Sequence, residues 1–206
     1  PWTGATTPWP GYWYNLNIQL TYSPLYTANR LNIAESLIWL INNNTENMKQ
    51  NILPEYRHDS YAVGRAGNGE LITGTIGLRR GDTTSLSGGG AELSNLTWMM
   101  LYYYQHYRYS MDLTLKEPLY KILKGSVNYA LHFIDKNKEG RYVFVVRTHS
   151  PEYPGDIDFN TNYDLSSLRW GIQTLLELGE GDIEEKEYLE NICIVLDNLI
   201  DYPQDE

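Results

Sequence analysis

Apolar residues recur at three- and four-residue steps in several separate stretches of this chain, and that spacing commits most of it to amphipathic helices. Leu31, Ala34, Leu37, Ile38 and Ile41 fall on one helical face that runs through Asn42. The same helix has room to continue to about Asn51, before Pro54. A second stretch, residues 91–109, offers Leu93, Leu96, Trp98, Met99, Leu101 and Tyr102 for burial. A third, from Leu115 to Asp135, carries a stripe of Leu119, Ile122, Leu123, Val127, Ala130, Phe133 and Ile134, with Pro118 in its first turn, where a missing N–H costs nothing. Residues 165–178 form a helix that Asp164 can cap and Gly179 and Gly181 stop. A last helix runs from Ile183 to Ile200, closed by Tyr202 and Pro203.

The connections have their own chemistry. Residues 1–14 hold three prolines and two glycines and read as an extended lead-in. A short helical or irregular piece follows at Asn17 to Tyr22, limited by Pro24. Residues 54–90 are glycine-rich with short β-prone pieces, which predicts a long excursion containing one small hairpin. Such a segment is either a functional loop or a flexible surface insert. Tyr142 to Val146 is a β-prone run after a polar turn at Lys136 to Gly140. The expected chain is mainly α, with five or six helices and minor strand. Paired helices with loops at one end suggest an α/α toroid, although periodicity fits a helical bundle or array equally well.

A length of 206 residues suits a single domain, or the N-terminal part of a larger catalytic domain. The chain starts at Pro1 without an initiator Met, which reads as a piece of a longer product or a processed one. A net charge of −10 repels a nucleic-acid backbone, so no nucleic-acid partner is expected. No apolar run approaches the ~18 residues of a membrane span, so no membrane partner is expected either. The lone Cys193 makes no internal disulfide. His58, His106, His132 and His149 show no ligand spacing, and neither a phosphate-cradling loop nor a dinucleotide fingerprint is present. The expectation is therefore no metal and no cofactor.

The aromatic balance is unusual: 18 tyrosines and 6 tryptophans against 3 phenylalanines. Flat rings with polar handles suit sugar faces and half-wet cores alike. Two polar motifs sit among them. One is Trp13-Tyr14-Asn15-Leu16-Asn17, continuing to Gln19 and Tyr22; the other is Thr148-His149-Ser150-Pro151-Glu152-Tyr153-Pro154. Amides facing a carboxylate in an aromatic pocket would suit glycoside chemistry. Asx turns for Asn15 and Asn17, an exposed turn for Glu152 and plain packing for the aromatics are the alternatives.

These residues resemble the catalytic domain of glycoside hydrolase family 95, which includes inverting α-L-fucosidases. The likeness rests on Asn15-Leu16-Asn17 with Gln19 and Tyr22, on Gly89-Gly90-Ala91-Glu92 leading to His106-Tyr107-Arg108-Tyr109, and on Ser150-Pro151-Glu152. It covers most of residues 9–180. The chain departs from the family pattern at Gln19, at Ser23-Pro24 and at Tyr153.

The resemblance implies an (α/α)6 barrel, present here as an incomplete toroid. It implies an oligosaccharide or glycan substrate, an α-L-fucoside or a related sugar, hydrolysed by an inverting acid/base mechanism. It assigns the general acid to Glu152 and water positioning to Asn15 and Asn17. Trp9, Trp13 and Tyr22 would floor the sugar subsite, Tyr153 would desolvate the acid, and His149 and Asp156 would bind hydroxyls or tune it. The family's catalytic Asp lies in a downstream motif that residues 1–206 do not contain, so the base and the remainder of the domain are expected outside this chain. A periplasmic or secreted setting is also implied. The competing class is a non-catalytic carbohydrate-binding protein that keeps the aromatic pocket.

Overall fold

The computed structural model describes residues 11–82, 91–151 and 157–204. Among them the chain is mainly helical, with α1 at Asn17–Thr27, α2 at Leu31–Asn42, α3 at Thr45–Gln50, α4 at Asn95–Ser110, α5 at Lys116–Leu131, α6 at Asn162–Leu178 and α7 at Lys186–Asp197. The long helices pack as three pairs, α1 with α2, α4 with α5 and α6 with α7. In addition α4 packs against α1, α2 and α6, and α5 packs against α6, so the pairs follow one another side by side. Three short antiparallel ladders tie the connections together: β1 (Tyr12–Trp13) with β2 (Ala66–Gly67), β3 (Ile134–Lys136) with β4 (Tyr142–Phe144), and β5 (Thr148–His149) with β6 (Ile157–Asp158).

The apolar stripes do what their spacing predicts. Ala34, Leu37, Ile38 and Ile41 of α2 are buried, as are Leu119, Ile122, Leu123 and Val127 of α5; α6, for which no stripe is read from the spacing, buries Leu165, Leu168, Ile172 and Leu175. Removing that area from water is the main favourable term holding the pairs together. Asn43 and Asn44 end α2 by donating their side-chain amides to the carbonyls of Trp39 (2.8 Å) and Leu40 (2.7 Å). Those bonds satisfy groups the helix end would leave orphaned, and the chain restarts as the short α3 rather than continuing to Asn51.

Other elements differ from expectation for identifiable reasons. Helix α1 passes through Pro24 to Thr27. Pro24 and Leu20 both lie on an exposed stretch, where a lost backbone bond is made up by water. Helix α5 stops at Leu131 instead of Asp135, because Ile134–Lys136 is taken into the hairpin with Tyr142–Phe144, whose turn uses Gly140 at φ +79°. Helix α6 begins earlier than predicted and is capped by Thr161, whose side chain accepts from the Asp164 backbone N–H. Ile183 lies outside α7 and is exposed.

The described part of the glycine-rich segment, residues 54–82, is neither a self-contained hairpin nor a loose insert. Its strand residues pair with β1, and Ser60, Tyr61, Ala62, Val63, Leu71, Ile76 and Leu78 are buried. Asn51 stitches it down, donating to Ala62 O (3.1 Å) and Leu71 O (2.8 Å) and accepting from Thr73 N (3.0 Å). The glycines permit close approach: a Cβ on Gly67 would sit 2.2 Å from Ile72 O, and one on Gly125 of α5 would sit 2.0 Å from the Tyr61 ring.

Candidate functional site

The segment after β1 divides its polar residues between two environments. Trp13 is half-buried at the end of β1, Asn17 is exposed at the start of α1, and Tyr22 is half-buried with its hydroxyl 2.7 Å from Ser36 Oγ. Trp13, Asn17 and Tyr22 line one cavity of about 490 Å³, together with Tyr12 and Ile18. Asn15, two residues from Asn17, turns inward and is 3% exposed. His149 is half-buried in β5, its backbone paired with Ile157. Trp9, Glu152, Tyr153 and Asp156 lie outside the described residues, as do Gly89 and Gly90.

Asn15 leads into a buried polar network centred on Glu92, which is fully buried just ahead of α4. Glu92 Oε1 accepts from Asn15 Nδ2 (3.2 Å) and from Arg65 Nε (2.5 Å); Oε2 accepts from Asn95 Nδ2 (2.7 Å). Arg65 comes from the glycine-rich segment beside β2 and is largely buried, so this is an ion pair shielded from water. Asn95 Oδ1 in turn accepts from the Tyr163 hydroxyl (2.7 Å) of α6. Next to Tyr163, the fully buried Asp164 accepts from Ser94 Oγ (2.5 Å), from Thr161 Oγ1 (2.8 Å) and from Thr148 Oγ1. Burial raises the Asp164 pKa above the usual carboxylate range against the pull of those three hydroxyls, and the charge of Glu92 adds to the rise. Burial likewise pushes the Tyr163 phenol well up, so it stays a hydrogen-bond donor.

Two consequences follow for Asn15. Its amide nitrogen is committed to Glu92, which fixes the tilt of the side chain. Its Oδ1 is buried and has no hydrogen-bond partner among the described residues. The fully buried Gln19, one helical turn on, repeats the arrangement: Nε2 donates to Tyr14 O (2.7 Å), while Oε1 has no partner. A buried amide oxygen left open in this way can accept from a small internal water.

A second cavity, of about 500 Å³, opens between α4 and α6. Trp98, Tyr163 and Trp170 wall it, and Ser166, Ser167 and Asn162 supply polar edges. Trp98 meets the Tyr163 ring edge-on at 5.8 Å. Tyr163 therefore joins the two features: its ring lines the cavity and its hydroxyl enters the Glu92 network. A flat aromatic wall beside hydroxyls and an amide is chemically suited to a sugar ring.

Sequence reasoning gave no site role to Arg65, Asn95, Tyr163, Trp98 or Trp170, and met Glu92 only as the end of the Gly89-Gly90-Ala91-Glu92 motif. The usable signal was a lone Glu opening an apolar helical stretch, with its counter-charge in a segment otherwise read as a loop. Asp164, expected as a cap, is instead the shared acceptor of three hydroxyls. His106 closes a motif but lies in the core, its ring 6.2 Å from that of Tyr26, and burial lowers its pKa. Among the described residues, His58, Asp59 and His132 have donor atoms close enough together to hold a metal ion. Spacing along the chain did not reveal them, because the Asp59–His132 contact joins residues 73 apart.

With this geometry in place, the chain can be compared with known proteins. The model of the glycosyl hydrolase family 95 catalytic domain matches residues 2–192. No curated protein matches the chain.

Proposed function

The chain belongs to glycosyl hydrolase family 95, and from that premise we propose that it carries part of a catalytic site that hydrolyses an α-L-fucoside, or a related glycoside, with inversion. The observation that supports this reading is the buried network. Two hydrogen-bonded clusters, around Glu92 and around Asp164, adjoin where Ser94 precedes Asn95 and Tyr163 precedes Asp164, and they draw on the three segments that carry the family likeness: Asn15 from the first, Glu92 and Asn95 from the second, and Thr148, two residues before Ser150-Pro151-Glu152, from the third. Three helix pairs packed side by side are what half of a six-pair toroid would look like, with the remaining pairs supplied outside residues 1–206.

In this mechanism Glu152 protonates the glycosidic oxygen as the bond to the anomeric carbon breaks. A water attacks the opposite face of the sugar and gives its proton to a carboxylate base contributed from outside this chain. Acid and base stand ~6.5–9.5 Å apart to leave room for that water. Asn17 positions the attacking water from the cavity it lines, and Asn15 supports it from the buried side, since an amide can position a water but not take its proton. Trp9, Trp13 and Tyr22 floor the sugar subsite, and His149, Tyr153 and Asp156 contact hydroxyls or tune the acid. Trp98 and Trp170 offer a second aromatic surface, in the cavity between α4 and α6.

The test is turnover of an alkyl α-L-fucoside, whose leaving oxygen needs a proton, by the intact gene product and its Glu152→Gln variant. The variant is expected to lose turnover while still binding the sugar. Full turnover in Glu152→Gln would remove the acid assignment. Binding without any turnover by the wild type would favour a carbohydrate-binding protein instead.

A further inference from the structure

The trio His58, Asp59 and His132 belongs to neither cavity and takes no part in the Glu92 network. We propose that it binds one divalent late-transition cation, with Zn²⁺ the best fit, and so clamps the segment after Tyr56 to the end of α5. His132 Nε2 lies 2.9 Å from Asp59 Oδ1, His58 Nε2 lies 3.6 Å from the same oxygen, and the three donor atoms are all within 4.8 Å of one another. A tetrahedral ion with bonds of ~2.0–2.1 Å separates its ligand atoms by about 3.3 Å. Small side-chain adjustments therefore bring all three groups to bonding distance.

The surroundings favour a ligand set over a chance meeting of charges. His58 Nδ1 lies 3.0 Å from Glu55 O; donation of Nδ1–H there turns the ring so that the Nε2 lone pair faces Asp59. Asp59 is held to α5 twice, by Asn128 Nδ2 on its backbone oxygen (3.2 Å) and by His132 one turn later. The His132 ring packs against Tyr56 with centroids 5.0 Å apart. His132 is also the C-cap of α5, where the carbonyl end of the helix favours positive charge. Ser60 Oγ donates to Asp59 Oδ1 (2.7 Å), which fixes the carboxylate beside the two rings.

The neighbouring guanidinium groups are already engaged. Arg80 bonds His132 O, Ile134 O and Asp135, and Arg79 pairs with Glu55. Two imidazoles and one carboxylate select zinc, copper, nickel or cobalt over magnesium or calcium. Three protein ligands leave a fourth position for water.

The experiment uses tag-free, chelator-stripped protein titrated with Zn²⁺ by calorimetry, with Co²⁺ as an absorbance probe of tetrahedral geometry. One ion per chain and a raised unfolding temperature are expected. His58→Ala should weaken binding by about tenfold or more. It should leave the unfolding temperature in chelator unchanged, because the His58 side chain is 67% exposed. No binding by the wild type, or undiminished binding by His58→Ala, would overturn the proposal and leave the Asp59–His132 contact as a hydrogen-bonded pin only.

Discussion

Replacing Glu92 by Ala removes the acceptor of three buried donors at once: Asn15 Nδ2, Arg65 Nε and Asn95 Nδ2. The Glu92 carboxylate is wholly buried and the Arg65 side chain is 24% exposed. The variant therefore leaves a guanidinium facing a methyl group with little water to replace the lost charge. Breaking one side of such a buried pair costs about 3–5 kcal/mol. For a domain of this size each kcal/mol lowers Tm by about 2–4 °C, so a fall of roughly 10 °C is expected. Glu92→Gln keeps the shape and one acceptor oxygen; losing charge-assisted bonds then costs about 1.5–3 kcal/mol. Urea unfolding at constant m separates these losses from changes in compactness. Arg65→Ala combined with Glu92→Ala should be less damaging than the sum of the two, with a coupling of about 0.5–3 kcal/mol. A Glu92→Ala loss below about 1 kcal/mol, or strict additivity with Arg65→Ala, would show that the ion pair does not organise the network, and the argument for a fixed Asn15 would fail with it.

The remaining predictions concern packing and protons. Gly125→Ala drives a methyl into the Tyr61 ring, and the overpacking should destabilise by about 1–3 kcal/mol in the same assay; a neutral change would mean the segment at residues 60–63 is not held against α5. Burial lowers the His106 pKa below 6.5 in the folded state, so on acidification the unfolded chain takes up this proton first. Its contribution to stability is complete above about pH 6.5 and is lost as pH falls toward the depressed folded value. A His106→Gln variant should show a shallower decline in urea midpoint between about pH 7 and pH 5 than the wild type, and an identical slope would refute this account.

The parts of the fold that could be read along the chain are those set by local spacing. The stripes of α2 and α5 need only their own residues to define a face, and those faces are buried. What could not be read was decided by contacts at long range. Ile134 fits the stripe of α5, yet pairing with Phe144 competes with the helix and wins. The glycines at residues 64–81 look like flexibility, but Gly67 is there because another stretch of backbone lies against it. At the site, Trp13, Asn17 and Tyr22 share a cavity because they lie within about one strand and two helical turns, which is local information. Glu92 meets Asn15 across 77 residues and Asp164 meets Ser94 across 70, and nothing in the periodicity carries such pairings. A charged residue at the head of an apolar stretch remains a usable flag for a buried pair, provided a counter-charge is sought in the segments that look like loops.

The most direct test of the central claim is the anomer first released from an aryl α-L-fucoside by the intact gene product, followed by proton NMR before mutarotation. Single displacement by water between Glu152 and an external base predicts β-L-fucose as the initial product. Initial α-L-fucose would require a covalent intermediate and would contradict the assignment of Asn15 and Asn17 to an attacking water.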